Sequence, residues 1–213
     1  MEQRITAIER QEKRQDRRSI FVNGKFVLGV DEAVVADLGL HVGQQIGEDE
    51  LQQVVHRELV NKAKERALRL LEYRKRSTSE VVQRLRKAGF AEDVIDEVVA
   101  RLVDIGLLND ADFSQSWVSY RLAAKGMGKS RIMWELRLKG VSSDVAEEAL
   151  STVDADTEYQ SAIDAARRRW DKDRDPDLRA KRQRLVAYLK RHGFDWDVVN
   201  RIVSELPADS QSE

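Results

Sequence analysis

Val81-Val82-Gln83-Arg84-Leu85-Arg86-Lys87-Ala88-Gly89-Phe90-Ala91-Glu92-Asp93-Val94 decides the fold, because the chain writes it again, with changed letters, at 132–145 and at 185–198. The anchors are Gly89, Gly140 and Gly193, which stand 51 and 53 residues apart. Before them come Val81, Val82 and Leu85; Ile132, Met133 and Leu136; Leu185, Val186 and Leu189. This i, i+1, i+4 spacing is the buried stripe of a helix. After each glycine stands an apolar residue (Phe90, Val141, Phe194), and four positions after it an Asp-Val pair: Asp93-Val94, Asp144-Val145 and Asp197-Val198. A second helix follows in each copy. Its stripe is Ile95, Val98, Val99 and Leu102; then Ala146, Ala149, Leu150 and Val153; then Val199, Ile202, Val203 and Leu206. Agreement at so many fixed offsets marks an internal repeat.

Outward from this core, each copy has a preceding helix. The first runs to about Arg74, the second through Phe113, Trp117 and Tyr120, the third through Tyr159, Ile163 and Ala166. Ser77-Thr78-Ser79-Glu80 is a capping box that opens the middle helix of the first copy. Ser142 and Asp195 are natural N-caps for the last helices of the second and third copies, whereas Ala91 holds that place in the first and cannot cap. The anchor glycines suit helix C-caps, where φ is positive. Asp171 to Asp177, with Pro176, reads as a linker inside the third copy, and Pro207 as the end of the last helix.

The first sixty residues differ. Ile20 to Leu28 is two β-favouring runs around Asn23-Gly24, a dipeptide that suits a type I′ hairpin. Ile5 to Ile8 reads as a third strand, and Glu9 to Arg18 as its exposed continuation or a loop. Asp31 reads as the N-cap of a short helix, Glu32 to Leu38, closed by Gly39, with an extended piece near Gln44-Ile46 and a helix from Glu48 to Arg74. This module is either an accessory docking surface or a stabilising cap on the first repeat. The expected fold is therefore mainly α. An α+β module with a β-hairpin (1–58) precedes three tandem three-helix repeats (59–108, 109–155, 156–207) and a disordered tail (208–213). Stacked repeats of this kind are expected to give an elongated, curved body.

Composition narrows the function. The 37 basic and 38 acidic residues leave a net charge of -1, which excludes a uniformly basic nucleic-acid coat but allows a local basic face. Charged residues make up 35% and prolines number only 2, which suits solvated helices with narrow apolar stripes. With no cysteine there is no disulfide or thiolate metal site, and a cytoplasmic location is expected. No apolar run reaches membrane-spanning length, and Met1 to Arg18 lacks the apolar core of a signal peptide. His41, His56 and His192 are scattered without metal-ligand or triad spacing, so neither an enzyme nor a cofactor is expected.

One family resemblance emerges. Ala67-Leu68-Arg69-Leu70-Leu71-Glu72-Tyr73-Arg74, Ser77, Glu80, Leu85 and Lys87-Ala88-Gly89-Phe90 carry its strongest part. It continues through Gly106-Leu107-Leu108-Asn109-Asp110, Phe113, Trp117, Arg121, Lys125-Gly126, Ile132, Glu135-Leu136 and Lys139-Gly140-Val141. In these residues the chain resembles RecX, the bacterial regulators of the RecA recombinase. Lys75 stands where the family often has proline, and Ala91 where it has a polar cap. The resemblance implies a monomeric, non-catalytic protein that lies along the RecA–single-stranded DNA filament and bridges its protomers. It implies inhibition of recombinase, ATPase and co-protease activity in DNA repair and the SOS response.

Candidate contact residues come from the repeat. Three positions before each anchor glycine stand Arg86, Arg137 and Lys190, with Arg84, Lys87, Lys139 and Arg191 beside them. Such a recurring cation suits an acidic filament surface or phosphates, though the helix dipole alone also favours cations near a C-terminus. A second group is Arg121, Lys125, Lys129 and Arg131. A third, ranked lower, is Arg167, Arg168, Arg169 and Trp170 with Arg179, Lys181, Arg182 and Arg184; Trp170 could stack on a base but reads rather as partly core. Gly126-Met127-Gly128-Lys129-Ser130 mimics a phosphate loop, but Ala123 stands where glycine is required and the segment follows a helix. It reads as a turn. The alternative function is direct DNA binding by helix-turn-helix-like units. Against it, the last helix of the first repeat carries Glu92, Asp93, Asp96, Glu97 and Asp104 with only Arg101, and acidic helices repel phosphate. Weak, salt-sensitive contact with single- and double-stranded DNA through the basic edge stays open.

Overall fold

The computed structural model describes residues 3–205. The chain divides into two compact units: one comprises the chain up to Lys75 together with Val81–Leu107, the other Arg76–Glu80 together with the chain from Leu108 onward. Leu206, Pro207 and the expected tail lie outside the described residues. No described helix is long and apolar enough to cross a membrane.

The first unit begins with an antiparallel sheet of order β1 (Ile5–Arg10), β2 (Arg17–Val22), β3 (Lys25–Asp31). Asn23 and Gly24 both take positive φ, 50° and 78°, as a type I′ turn requires. The charged run after Ile8 is partly strand, ending at Arg10, and partly the turn that leads to Arg17. Gln44–Ile46 lies along β1, with Ile5 N–H donating to Gln44 O (2.9 Å) and Ile46 N–H to Gln3 O (2.9 Å). Asp31 caps α1 (Glu32–Asp37) by accepting from Ala33 N–H. One core holds Ile5, Ile20, Val22, Val30, Val34, Ile46 and also Val54, which belongs to α2 (Glu48–Tyr73). A few residues on, the buried Glu58 accepts from Asp31 N–H (2.8 Å) and pairs with Arg17 (2.8 Å). Its last turns bury Ala63 and Ala67. The same 26-residue helix thus serves the N-terminal module first and the first repeat afterwards.

The repeats follow the expected stripes. The first is completed by α3 (Thr78–Lys87), burying Val81 and Leu85, and α4 (Glu92–Asp104), burying Val94, Ile95, Val98 and Leu102. The second is α5 (Asp110–Lys125), α6 (Lys129–Leu138) and α7 (Ser143–Ser151) around Phe113, Leu122, Ile132, Leu136, Val141 and Leu150. The third is α8 (Ala155–Lys172), α9 (Leu178–Arg191) and α10 (Trp196–Ser204) around Tyr159, Leu185, Leu189, Phe194, Val199 and Ile202. Ser77 and Glu80 form the capping box, and Ser142 accepts from Val145 N–H. Asp195 differs from expectation: it sits at the N-cap but caps nothing, because its carboxylate accepts from the Ser130 hydroxyl instead (3.4 Å). The expected linker is shorter and more ordered than its composition implies. Helix α8 runs through Lys172, and Asp173, Asp175 and Asp177 accept in turn from the N–H groups of Asp175, Asp177 and Arg179.

The anchor glycines take φ of +88°, +73° and +82°, and two of them do more than turn the chain. At the joint between the second and third repeats, Gly128 N–H donates to His192 O (2.9 Å) and Ser130 N–H to Gly193 O (3.2 Å). A Cβ on Gly193 would stand 2.3 Å from Arg131 N. Within the second unit the segment Arg76–Glu80 meets the Gly140 turn in the same way: Ser77 Oγ donates to Lys139 O (2.6 Å), and a Cβ on Gly140 would stand 2.3 Å from Ser79 Oγ. A Cβ on Gly89 would meet nothing within 4 Å.

Candidate functional site

The recurring basic position sits on the last turn of each middle helix, where the backbone carbonyls favour a cation. In the first and third repeats the side chain meets the first residue of the following helix, and that residue differs in every repeat. Arg86 faces Glu92 and forks onto it, Nε and Nη2 donating to the two carboxylate oxygens at 2.6 and 2.7 Å. This bidentate bond holds the Glu92 carboxyl below the usual carboxylate range. Lys190 places its ammonium 5.2 Å from the ring of Trp196. Arg137 has Ser143 at the corresponding place, is exposed, and makes no ion pair among the described residues. One sequence position therefore presents a neutralised cation, an aromatic-backed cation and a free one.

The neighbouring cations divide as well. Arg84, Lys87 and Arg191 are exposed and without ion pairs among the described residues, and Lys125 lies 5.9 Å from the Tyr120 ring. Four others are committed to contacts within the second unit. Glu135 is buried on the inner face of α6, accepts from the Trp117 indole N–H (3.1 Å), and pairs with Arg121 (2.6 Å) and Arg131 (3.7 Å). Burial of a carboxylate requires such partners. Arg121 also covers the Trp117 ring at 4.3 Å. Lys139, with its side chain only 18% exposed, stands 4.2 Å from the same ring and 2.9 Å from Glu80. Lys129 donates to Val153 O (2.7 Å) and pairs with Glu158 (3.6 Å), fastening α6 to the turn before α8. Charge compensated in this way attracts a distant partner weakly, so the exposed set carries more of the field than the full group of cations implies.

The third cluster is partly compensated by neighbouring carboxylates. Arg184 bonds Asp173 and Asp175, Arg169 pairs with Asp173, and Lys181 lies over Trp170 at 4.2 Å. Arg184, first, and the N–H of Asp175 hold the Asp173 carboxyl below its usual range. Trp170 packs against the third core, as the sequence implied. His192, expected at the surface, is half-buried, with Nδ1 2.9 Å from Tyr188 O and its ring 3.9 Å from the Tyr188 ring. In the glycine-rich turn, Gly126 caps α5 at φ +58° and the N–H groups of Gly128 and Ser130 are used by the joint. Sequence reasoning passed over two exposed aromatics. Trp134, covered by Arg131 at 4.2 Å, and Trp196 are 48% and 53% exposed. The signal for Trp134 was available in the positions that the repeat does not bury.

Comparison with known proteins fits this architecture. Residues 3–47 match the family model described as the regulatory protein RecX N-terminal domain. Residues 63–102, 109–150 and 156–203 match its first, second and third three-helix domains. The chain is 31% identical over 202 residues to the regulatory protein RecX of Clostridioides difficile (strain 630), covering 95% of both chains. It is 31% identical over 209 residues to that of Bacillus subtilis (strain 168), covering 98% of this chain and 79% of the relative. Among solved structures, a crystal structure of regulatory protein RecX superposes with a TM-score of 0.79 at 25% identity, covering 95% of this chain and all of that one. The crystal structure of RecX from Lactobacillus salivarius gives 0.63 at 27% identity, over 70% of this chain and 96% of that one.

Proposed function

The chain belongs to the RecX family of regulatory proteins, and from that membership we propose that it binds the RecA–single-stranded DNA filament of its host and lowers its activity. It acts without catalysis, as a cytoplasmic monomer whose repeats bridge neighbouring protomers and oppose filament growth. The observation that carries the reading is the match across all four domains; the exposed cations Arg137, Arg84, Lys87, Arg191 and Lys125 support it as contacts. An acidic protein surface or the filament's phosphates suit these groups, and any direct DNA binding through them is weak and falls steeply with salt. Regulation works by unequal affinity: the protein can bias only those filament states that it binds differently. The test is ATP turnover by the host recombinase on single-stranded DNA. Turnover is expected to fall when this protein is added at ratios up to one per protomer, and unchanged turnover at that ratio removes the reading.

A further inference from the structure

The three middle helices are built on one pattern, so they can be compared position by position on the side that the core does not use. Six and two positions before the anchor glycine, α3 carries Gln83 and Lys87, and α9 carries Ala187 and Arg191. Those positions are exposed in both helices, and polar or small residues suffice there. In α6 the same two positions are Trp134 and Leu138, 48% and 64% exposed. They stand four residues apart on the face opposite Ile132, Glu135 and Leu136, which are buried. The fold does not require large apolar groups here, since two sibling helices manage without them. An i, i+4 apolar pair on a helix is the arrangement by which helices dock into apolar grooves. Tryptophan is also the side chain most often found to dominate a protein interface.

We propose that the outer face of α6 is a protein-docking surface. Trp134 and Leu138 enter an apolar pocket of the partner, while Arg137 meets a carboxylate on its rim. Charge complementarity sets the partner's chemistry: Arg137, exposed and without an ion pair among the described residues, borders the apolar pair on that face, while Arg131, paired with Glu135, backs the Trp134 ring. A nucleic acid is the poorer occupant, because Leu138 has no ring to stack and Arg131 already covers Trp134. The proposal rests on the filament reading above and assigns to the recombinase protomer, rather than its DNA, the contact with the second repeat.

The test uses the first repeat's own residues. Trp134→Gln/Leu138→Lys makes α6 like α3, and Trp134→Ala/Leu138→Arg, which makes it like α9, serves if the first variant does not fold. Binding is measured to a recombinase filament assembled on oligo(dT) and, separately, to bare oligo(dT). Loss of two anchors is expected to weaken filament binding about thirtyfold or more. That loss should occur although the variant gains a positive charge, and bare DNA should be bound as before or slightly better. Equal filament binding by wild type and variant overturns this proposal while leaving the filament reading intact. Equal loss on bare DNA makes nucleic acid the occupant and overturns it too. If the wild-type protein does not bind the filament, the reading beneath it falls.

Discussion

Replacing the anchor glycines one at a time by alanine separates the two jobs they perform. At Gly89 the side chain enters open space, so the cost is that of a positive φ, roughly 1–2 kcal/mol. At Gly193 the same backbone cost applies, and the new Cβ would stand 2.3 Å from Arg131 N, a backbone atom that cannot swing aside. The joint must open there, weakening the bonds from Gly128 N–H to His192 O and from Ser130 N–H to Gly193 O. At about 0.5–1.5 kcal/mol for each bond, Gly193→Ala should cost roughly 2–5 kcal/mol in all. The informative quantity is the difference between the two variants, roughly 1–3 kcal/mol, since the φ penalty cancels. Urea unfolding followed by far-ultraviolet circular dichroism measures it, with tryptophan fluorescence as a second probe of whether the repeats unfold together. Equal destabilisation by the two substitutions, to within about 0.5 kcal/mol, would refute the reasoning that the joint depends on glycine's missing side chain.

Other perturbations reach the site. Glu135→Leu leaves Arg121 half-buried without its carboxylate and should destabilise the protein by roughly 2–4 kcal/mol. Adding Arg121→Met should recover most of that loss in thermal unfolding, and no recovery would show that Glu135 acts through something other than this pair. Charge reversals at Arg86, Arg137 and Lys190 should affect filament affinity unequally, most at Arg137 and least at Arg86, whose charge Glu92 already balances. Titrations at several salt concentrations check this, and a largest effect at Arg86 would contradict it. Arg86→Ala should raise the pH at which Glu92 titrates, followed by carboxyl NMR. Because the folded-state value is depressed, the pair's contribution is present above the ordinary glutamate range and lost as pH falls through the folded value. The wild type and the variant should therefore converge in stability in acid, and a Glu92 midpoint that does not move would rule out the pair as its cause.

The helical stripes were legible because burial imposes a period, and Val81, Leu85, Ile132, Leu136, Leu185 and Leu189 all lie where that period puts them. The hairpin was legible because Asn23-Gly24 has little other use. Asp195 misled because an N-cap is a local preference that a neighbouring hydroxyl, Ser130, can divert, and the joint that brings Ser130 close is a long-range contact. For the same reason the glycines' second role was hidden: positive φ can be inferred locally, whereas the backbone facing Gly193 comes from more than sixty residues earlier in the chain. In the candidate site the recurring cation was visible in sequence, but its chemical state was not. That state is set across a turn by Glu92 for Arg86 and by Trp196 for Lys190, at a position that the repeat leaves free to vary.

Filament growth is the most direct measure of the central claim. Fluorescent host recombinase is assembled on a long single-stranded DNA held extended, and net extension is recorded with increasing amounts of this protein. The account predicts that extension slows and stops at fewer than one molecule per protomer, because each molecule bridges its neighbours. Extension that continues at the same rate at stoichiometric amounts would contradict it.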